Sequence, residues 1–210
     1  MSDPEKPVSE PAYWEAAYRE GRDGWELGQA APPLARALRT LPIGKAAVVL
    51  GSGRAHEVRA AAEAGWPRVV AVDFAASAPV EAKRLTAPEL LPRIEWRSAD
   101  LFELGRTDPE AFDLAIEHTS FCAISPARRE EWLASVAACL RPGGLLLALF
   151  YAHKKPAGPP FATTREEIER LLPKHGFTIE RIELAPDSHP RRAGEELLTL
   201  ARRRLSSSGS

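Results

Sequence analysis

The most informative stretch of the chain is Val48-Val49-Leu50-Gly51-Ser52-Gly53, a short apolar run that passes directly into a glycine turn. Glycine at positions 51 and 53 permits a tight turn and lets a ligand approach the backbone closely. A second apolar run, Val69-Val70-Ala71-Val72, ends in Asp73, 22 positions after Gly51. An acidic residue at the tip of the second strand is where nucleotide-binding α/β proteins hold the two ribose hydroxyls. The turn and the acid together predict a nucleotide-like ligand, whereas the turn alone also fits a strand-to-helix connection without one.

The glycine turn does not match the dinucleotide fingerprint. That fingerprint requires a third glycine three positions after the second, and this chain has His56 there. The pattern of NAD-binding proteins is therefore not met. An NAD-linked oxidoreductase stays as a remote alternative.

Short apolar runs alternate with amphipathic stretches along most of the chain. The apolar runs are too short for buried helices and rich in Val, Ile and Leu, as expected of strands covered on both faces. They fall at 46–50, 68–72, 112–116 and 145–150, and Ile94-Glu95-Trp96-Arg97, which is not apolar throughout, is interpreted as a further strand. Helical patterns fall between them at 55–64, 76–85, 126–140 and 164–175. This alternation predicts an α/β protein with a mostly parallel sheet and helices on both faces.

The C-terminal part of the chain breaks the alternation. Residues 177–185 and 196–203 both have the pattern of strands, and no helical pattern separates them. A parallel crossover usually needs a helix, so these two strands are predicted to be an antiparallel pair. The sheet is then seven-stranded and mostly parallel, with an antiparallel last strand. The helix at 126–140 is expected to begin after Ser125 and to stop before Pro142-Gly143-Gly144.

Composition indicates a globular protein without a nucleic-acid or membrane partner. The chain has 210 residues, enough for one domain, and its 28 Lys and Arg against 29 Asp and Glu give a net charge of −1. A nucleic-acid-binding surface would usually appear as a basic excess. No apolar run approaches the roughly 20 residues that cross a bilayer. The clusters Arg191-Arg192 and Arg202-Arg203-Arg204 are expected to lie on the solvated surface.

The predicted organisation is a flexible segment at 1–10, a single domain at 11–204 and a flexible tail at 205–210. The first ten residues are polar and contain proline, unlike a signal or transit peptide. Cys122 and Cys139 have apolar surroundings, which is typical of reduced core cysteines. We expect a cytoplasmic protein that is a monomer or a weak dimer.

Two further strand ends supply candidate ligand-binding residues. Asp100 and Leu101 follow the third strand, where a carboxylate can accept a hydrogen bond from an adenine amino group beside a backbone N–H. The fourth strand ends in Glu117 and His118, at the crevice where open α/β sheets bind ligands. An ordinary loop aspartate and a histidine bonded only to backbone fit the same positions.

Several blocks of the chain resemble the thiopurine methyltransferase-like family, which includes thiol and halide methyltransferases. The resemblance extends from Tyr13 to about Arg203. Its blocks are Trp14 to Gly21 with Trp25 to Gly28, Phe121 to Pro126 with Arg129 and Trp132, Leu140 to Gly144, and Gly158 to Phe161. The chain departs from the family pattern by having Tyr18 for a second Trp, Glu26 and Glu57 for Asp, and Ala55 for the third glycine.

The resemblance implies a Rossmann-like class I methyltransferase fold, with S-adenosylmethionine as cofactor and S-adenosylhomocysteine as product. It implies that the side chains of Trp14 and Trp25 line the cofactor site. It implies that Gly51 and Asp73 bind the methionine and ribose parts of the cofactor, and that Asp100 and Leu101 bind its adenine. The full set assigned to the cofactor side is Trp14, Trp25, Gly51, Gly53, Asp73, Asp100, Leu101, Glu117 and His118. The residues assigned to the acceptor side are His118, Phe121 and Tyr151.

The nature of the methyl acceptor decides whether the enzyme needs a base. A thiol, with a pKa near 8.5, has an accessible thiolate fraction without one. A hydroxyl needs a base, and the candidates are His118, His153 and Glu117. No His/acid pair stands at a convincing spacing, and five His and two Cys are too scattered to form a metal site.

We therefore expect a metal-free S-methyltransferase that acts on a small molecule with a soft nucleophile, in an apolar pocket built by Phe121, Tyr151 and Phe161. Cys122, although central to a family block, is expected to pack rather than react. An O- or N-methyltransferase of a small metabolite is the alternative. A cofactor-binding module without activity is a more remote one.

Overall fold

The structure, a computed structural model, describes residues 10–205. The segments 1–9 and 206–210, where flexible ends were predicted, lie outside the described residues. The described part contains seven strands: β1 (Ala47–Leu50), β2 (Val69–Asp73), β3 (Ile94–Ser98), β4 (Phe112–His118), β5 (Leu140–Tyr151), β6 (Phe177–Leu184) and β7 (Glu196–Arg203). Its helices are α1 (Pro11–Arg19), α2 (Pro32–Leu38), α3 (His56–Glu63), α4 (Ala78–Arg84), α5 (Leu104–Thr107), α6 (Ser120–Ala123), α7 (Arg129–Cys139) and α8 (Arg165–Lys174).

The strands form one sheet in the order β3-β2-β1-β4-β5-β7-β6. β1 to β5 pair in parallel, and β7 runs antiparallel to both β5 and β6. The predicted α/β class and the antiparallel last strand are confirmed. Strand order reverses between β1 and β4, and ligands of open α/β sheets bind outside the carboxyl ends of the strands at such a switch point.

Two hydrophobic cores cover the two faces of the sheet. Alternate residues of a strand point to opposite faces, so Val48 and Leu50 of β1 pack in one core and Ala47 and Val49 in the other. The first core is closed by α7 and α8, and the second by α2 and α3. Because both faces of β1 are buried, its sequence is continuously apolar, and this is the signal that identified it.

The predicted helices 55–64, 76–85 and 164–175 correspond to α3, α4 and α8 within two residues at each end. The prediction for 126–140 needs correction. Ser125 accepts a hydrogen bond from the backbone N–H of Ala127 and caps a 3₁₀ turn at Pro126–Arg128, and the α-helix begins only at Arg129. It ends at Cys139, because Leu140 already pairs with Phe112 of β4. The Pro-Gly-Gly stop therefore lies inside β5.

Helices α1 and α2 were not predicted from the sequence. Each begins with proline near its first position, after a residue whose side chain makes no capping hydrogen bond. No helix within residues 10–205 is both long enough and apolar enough to cross a membrane.

The contact between α5 and α7 leaves no room for a side chain at Gly105. A Cβ there would lie 2.7 Å from the Cβ of Ala138 and 2.9 Å from the carbonyl oxygen of Ser135. We predict that Gly105→Ala lowers the free energy of unfolding by about 1–3 kcal/mol, because the helices must move apart. Denaturant titration would measure this. Gly24→Ala is the matched control, since no atom lies within 4 Å of its added Cβ, and equal stability loss in both variants would contradict the packing account.

Candidate active site

The glycine turn after β1 is built on left-handed backbone. Gly51 has φ 65° and Gly53 has φ 49°, a region in which residues other than glycine are strained. A Cβ on Gly51 would also lie 2.9 Å from the Cβ of Ser120, so the ends of β1 and β4 approach each other only because position 51 has no side chain. Ala55, which stands at the third glycine position of the family pattern, also has positive φ, 61°.

Asp73 joins the glycine turn to the end of β2. One of its carboxylate oxygens accepts a hydrogen bond from the Gly53 N–H at 2.7 Å, and the other accepts from the Ala75 N–H at 2.9 Å. Burial raises the pKa of Asp73, and these backbone hydrogen bonds oppose the rise. A carboxylate oxygen has two lone pairs, so each oxygen can still accept a hydrogen bond from a ligand hydroxyl.

A cavity of about 530 Å³ opens at the carboxyl ends of β1, β2 and β4. Six of the nine predicted cofactor-side residues line it: Trp14, Trp25, Gly51, Asp73, Asp100 and Leu101. Tyr151, predicted on the acceptor side, lines it as well. Residues that are distant in sequence therefore surround one space of the size that holds a cofactor and a small ligand.

Aromatic side chains of the N-terminal segment form one wall of the cavity. The ring of Trp25 lies edge-on to those of Trp14 and Tyr18, with centroid distances of 5.5 and 5.6 Å. The segment is anchored to the body of the protein by an ion pair at 2.6 Å between Asp23 and Arg54. Tyr18, a departure from the family pattern, thus keeps an aromatic ring in this wall.

The opposite end of the cavity is formed by the loop after β3. Asp100 accepts a hydrogen bond from the Phe102 N–H at 3.0 Å, which fixes the loop and directs the backbone of Leu101. The guanidinium of Arg128 stacks on the Phe102 ring with 3.6 Å between its carbon and the ring centroid. Asp100 therefore holds its own loop and also lines the cavity.

Cationic side chains surround Tyr151 at the third side of the cavity. The ammonium of Lys155 donates to the Tyr151 hydroxyl at 2.9 Å, and that hydroxyl donates to Glu195 at the same distance. The guanidinium of Arg192 lies 4.3 Å from the centroid of the Tyr151 ring. The surface assignment of Arg191-Arg192 is wrong for Arg192, which is 7 % exposed and lines the cavity. Its burial follows from packing on Tyr151, which local sequence does not reveal.

Four of the residues assigned to the cofactor or acceptor side do not line this cavity, and neither does Phe161, which was expected in an apolar acceptor pocket. Gly53 and His118 line a smaller adjoining cavity of about 40 Å³, and Glu117 is fully buried below α6. Phe121 packs in the core against Trp132 and Phe150, with centroid distances of 5.4 and 5.0 Å. The sequence placed Glu117 and His118 at the ligand crevice, and in the structure neither side chain lines the main cavity.

His118 is buried between two glutamates. Its Nδ1 lies 3.1 Å from the Glu57 carboxylate, and its Nε2 lies 3.5 Å from the Glu196 carboxylate. Burial disfavours the charged imidazole, but the two carboxylates raise the pKa of His118 to about 9. Sequence spacing showed no His/acid pair because these residues come from α3, β4 and β7, and only the fold brings them together.

Glu117, next to His118 on β4, has a different environment. Its carboxylate accepts hydrogen bonds from the Ser120 hydroxyl and, at 2.9 Å, from the Phe121 N–H. Burial raises the pKa of Glu117 to about 7, against the effect of these donors. Ser120 lines the cavity and was not predicted as a site residue. A Gly51-to-Ser120 contact has no signature in local sequence.

Cys122 and His153, which the sequence analysis also considered, are both buried. Cys122 lines the cavity, donates its thiol hydrogen to the Thr119 carbonyl at 3.2 Å, and has a pKa raised by burial to about 12. His153 is 2 % exposed, and its Nδ1 accepts from the Lys155 N–H at 3.1 Å. Within residues 10–205, no three His, Cys, Asp or Glu side chains are grouped as metal ligands.

Comparison with known proteins yields one family. A family model described as Thiopurine S-methyltransferase (TPMT) matches residues 9–203. Thiocyanate methyltransferase 1 of Arabidopsis thaliana is 33 % identical over 193 residues, which cover 88 % of this chain and 82 % of that protein. Thiopurine S-methyltransferase of Pseudomonas fluorescens is 29 % identical over 181 residues, covering 78 % of this chain and 82 % of the relative.

A solved structure shares the fold. It is that of the 1,6-didemethyltoxoflavin-N1-methyltransferase of Burkholderia thailandensis, with bound 1,6-didemethyltoxoflavin and S-adenosylhomocysteine. It matches with a TM-score of 0.80 and 24 % identity, covering 97 % of this chain and 92 % of that chain. The fold expected from the sequence, that of a class I methyltransferase, is confirmed.

The His118 cluster predicts a titration that NMR can follow. The folded pKa of His118, about 9, lies above the ordinary value of 6.5, so His118 stabilises the fold fully below pH 6.5 and loses this contribution as pH rises through 9. Its titratable neighbours are Glu57 on α3, Glu196 on β7 and Glu117 beside it on β4. We expect one imidazole resonance, absent in His118→Gln, to titrate near pH 9. A midpoint near 6.5 would contradict the ion-pair assignment.

Proposed function

The chain belongs to the thiopurine S-methyltransferase family of S-adenosylmethionine-dependent methyltransferases, and on this premise we propose that it methylates a small acceptor that reacts as a soft anion, such as a thiolate. The observation that carries the proposal is the charge of the cavity wall. The side chains that line the described cavity include five cations, Arg22, Arg128, Lys155, Arg191 and Arg192, and two carboxylates, Asp73 and Asp100. Arg22 and Arg128 form ion pairs with Glu20 and Glu131, so the proposal rests on Lys155, Arg191 and Arg192.

The residues of the cavity fit S-adenosylmethionine. Asp73 has carboxylate lone pairs free for two ribose hydroxyls, and Gly51 lines the cavity where the end of β1 lies against Ser120. Trp14 and Trp25 offer ring faces or edges to the cofactor, and Asp100 with the Leu101 N–H is available to adenine. When bound, the cofactor supplies an electrophilic methyl group on a sulfonium sulfur.

The cationic wall supports an anionic acceptor for a physical reason. A positive charge within a few ångströms favours the ionised form of a neighbouring acid, so Arg192 and Lys155 would lower the pKa of a thiol bound beside Tyr151. Arg192 is held on the Tyr151 ring, which limits its freedom and keeps its charge at the cavity. Fixed charges of this kind need no reorganisation when the acceptor arrives. Orientation of the acceptor opposite the sulfonium can lower the activation barrier by on the order of 7–11 kcal/mol.

Transfer of labelled methyl groups from S-adenosylmethionine would test the acceptor class. We expect transfer to an aromatic thiol and to thiocyanate, with kcat/KM at least roughly tenfold above that for the phenol of the same ring, because the phenol is less ionised at neutral pH. Transfer confined to the phenol or to an amine would instead establish the O- or N-methyltransferase. Cofactor binding with no transfer to any acceptor would establish the inactive module.

Asp73 should dominate the affinity for the cofactor. We predict that Asp73→Ala weakens S-adenosylhomocysteine binding by roughly 1–3 kcal/mol, because a charged hydrogen-bond acceptor is lost. Isothermal titration calorimetry would measure the change, and circular dichroism would show whether the variant is folded. Glu89→Ala, which removes an exposed carboxylate, is the matched control. Equal affinities of a folded Asp73→Ala and the wild type would exclude Asp73 as the ribose ligand.

A further inference from the structure

A thiol that enters the cavity in its protonated form must lose the proton there. Glu117, at the end of β4, and Ser120, at the start of α6, are joined by a hydrogen bond beside the cavity. We propose that the Ser120 hydroxyl takes the proton of a bound thiol while its own proton passes to the Glu117 carboxylate. This inference rests on the proposed function, since it concerns the acceptor of the same reaction. It makes Ser120 a catalytic residue and Glu117 a buried proton acceptor that acts through it.

Glu117 accepts hydrogen bonds from Ser120 and Phe121, and of these two residues Ser120 lines the cavity. Glu117 has no exposed surface and does not line the cavity, whereas Ser120 does. The Ser120 hydroxyl donates to one carboxylate oxygen of Glu117, and the Phe121 N–H donates to the other at 2.9 Å. Ser120 also lies against Gly51, next to the space proposed for the cofactor. A proton released by an acceptor near the reacting methyl group can therefore transfer to the Ser120 hydroxyl, which already donates a hydrogen bond to Glu117.

The pKa of the Glu117 carboxylate suits it to accept this proton. A general base works best when its pKa lies near the operating pH, and burial raises that of Glu117 to about 7. The titratable neighbours that act on it are His118, on the same strand, and Cys122, on α6. His118 favours the carboxylate form, and Cys122 remains a neutral thiol with a pKa of about 12.

The two histidines proposed as bases from the sequence are less suitable. His118 has a pKa of about 9 between Glu57 and Glu196, so at neutral pH it already carries the proton that a base must accept. His153 does not line the cavity, and its Nδ1 already accepts from the Lys155 N–H. Of the sequence candidates, only Glu117 combines a free site for a proton with a path to the cavity.

The step balances in atoms and charge. The S–H bond of the thiol breaks as its proton bonds to Ser120 Oγ, and the former Ser120 proton bonds to Glu117. The freed electron pair on the acceptor sulfur forms the new bond to the methyl group. The electrons of the broken carbon–sulfur bond stay on the sulfur that held the methyl. The positive charge of the sulfonium and the negative charge of Glu117 are cancelled together, and the products are neutral.

An acceptor without a proton provides an internal control. Thiocyanate reacts as an anion and needs no base. An alkyl thiol, with a pKa of about 8.5 or higher, is mostly protonated at pH 8, where Glu117 is ionised, and it does need one. We expect Ser120→Ala and Glu117→Gln to lower kcat/KM for the thiol by roughly 10²-fold or more. The loss for thiocyanate should be far smaller, because an acceptor without a proton does not use the relay. Ser120→Thr, which keeps the hydroxyl, should restore thiol transfer. Ser188→Ala removes a hydroxyl on the β6–β7 loop and should change neither rate.

Infrared difference spectra give a readout that does not depend on turnover. With S-adenosylhomocysteine bound, addition of the thiol at pH 8 should produce a protonated-carboxyl band that is absent in Glu117→Gln and Ser120→Ala. Calorimetry with S-adenosylhomocysteine and thermal melting would show that both variants bind the product and are folded. If wild-type protein transfers methyl groups to neither acceptor, the proposed function fails, and the spectra still decide the relay. Equal losses with thiol and thiocyanate, unchanged thiol rates, or no carboxyl band in the wild type would overturn the relay.

Discussion

The site depends on the close approach of three strand ends at one switch point of the sheet. Gly51 lets β1 pass within contact distance of Ser120 after β4, and Asp73 ties the turn to β2 through the Gly53 N–H. A side chain at position 51 would separate β1 from β4, and loss of the carboxylate would leave two backbone donors without their partner. The same constraint therefore shapes the cofactor space and sets the distance from that space to Glu117.

Charge around the cavity is arranged in two layers. Cations such as Arg192 and Lys155 reach the cavity itself, where they favour an anionic acceptor. Buried below it are Glu117, with a pKa near 7, and His118, which two glutamates keep protonated. The proposals for the acceptor and for its proton fit together, because the first layer weakens the bond to the proton and the second receives it.

Sequence alone was sufficient to predict the sheet, and six of the nine residues that it assigned to the cofactor side line one cavity. Continuous apolar strands, a glycine turn and Asp73 are local signals, and strands buried on both faces make them clear. Local signals failed where function depends on long-range packing. Arg192 was assigned to the surface because its burial comes from Tyr151, 41 positions away. His118 showed no acidic partner because Glu57 and Glu196 approach it only in the folded sheet.

We infer that the crevice joined by Gly51 and Asp73 holds the cofactor with its sulfur toward Ser120 and Tyr151. A crystal structure with S-adenosylhomocysteine and an aromatic thiol would locate both ligands. We expect both ribose hydroxyls within hydrogen-bond distance of the Asp73 carboxylate, and the thiol sulfur between the cofactor sulfur, Ser120 and the cationic side chains. A ribose away from Asp73, or a thiol bound outside this cavity, would contradict it.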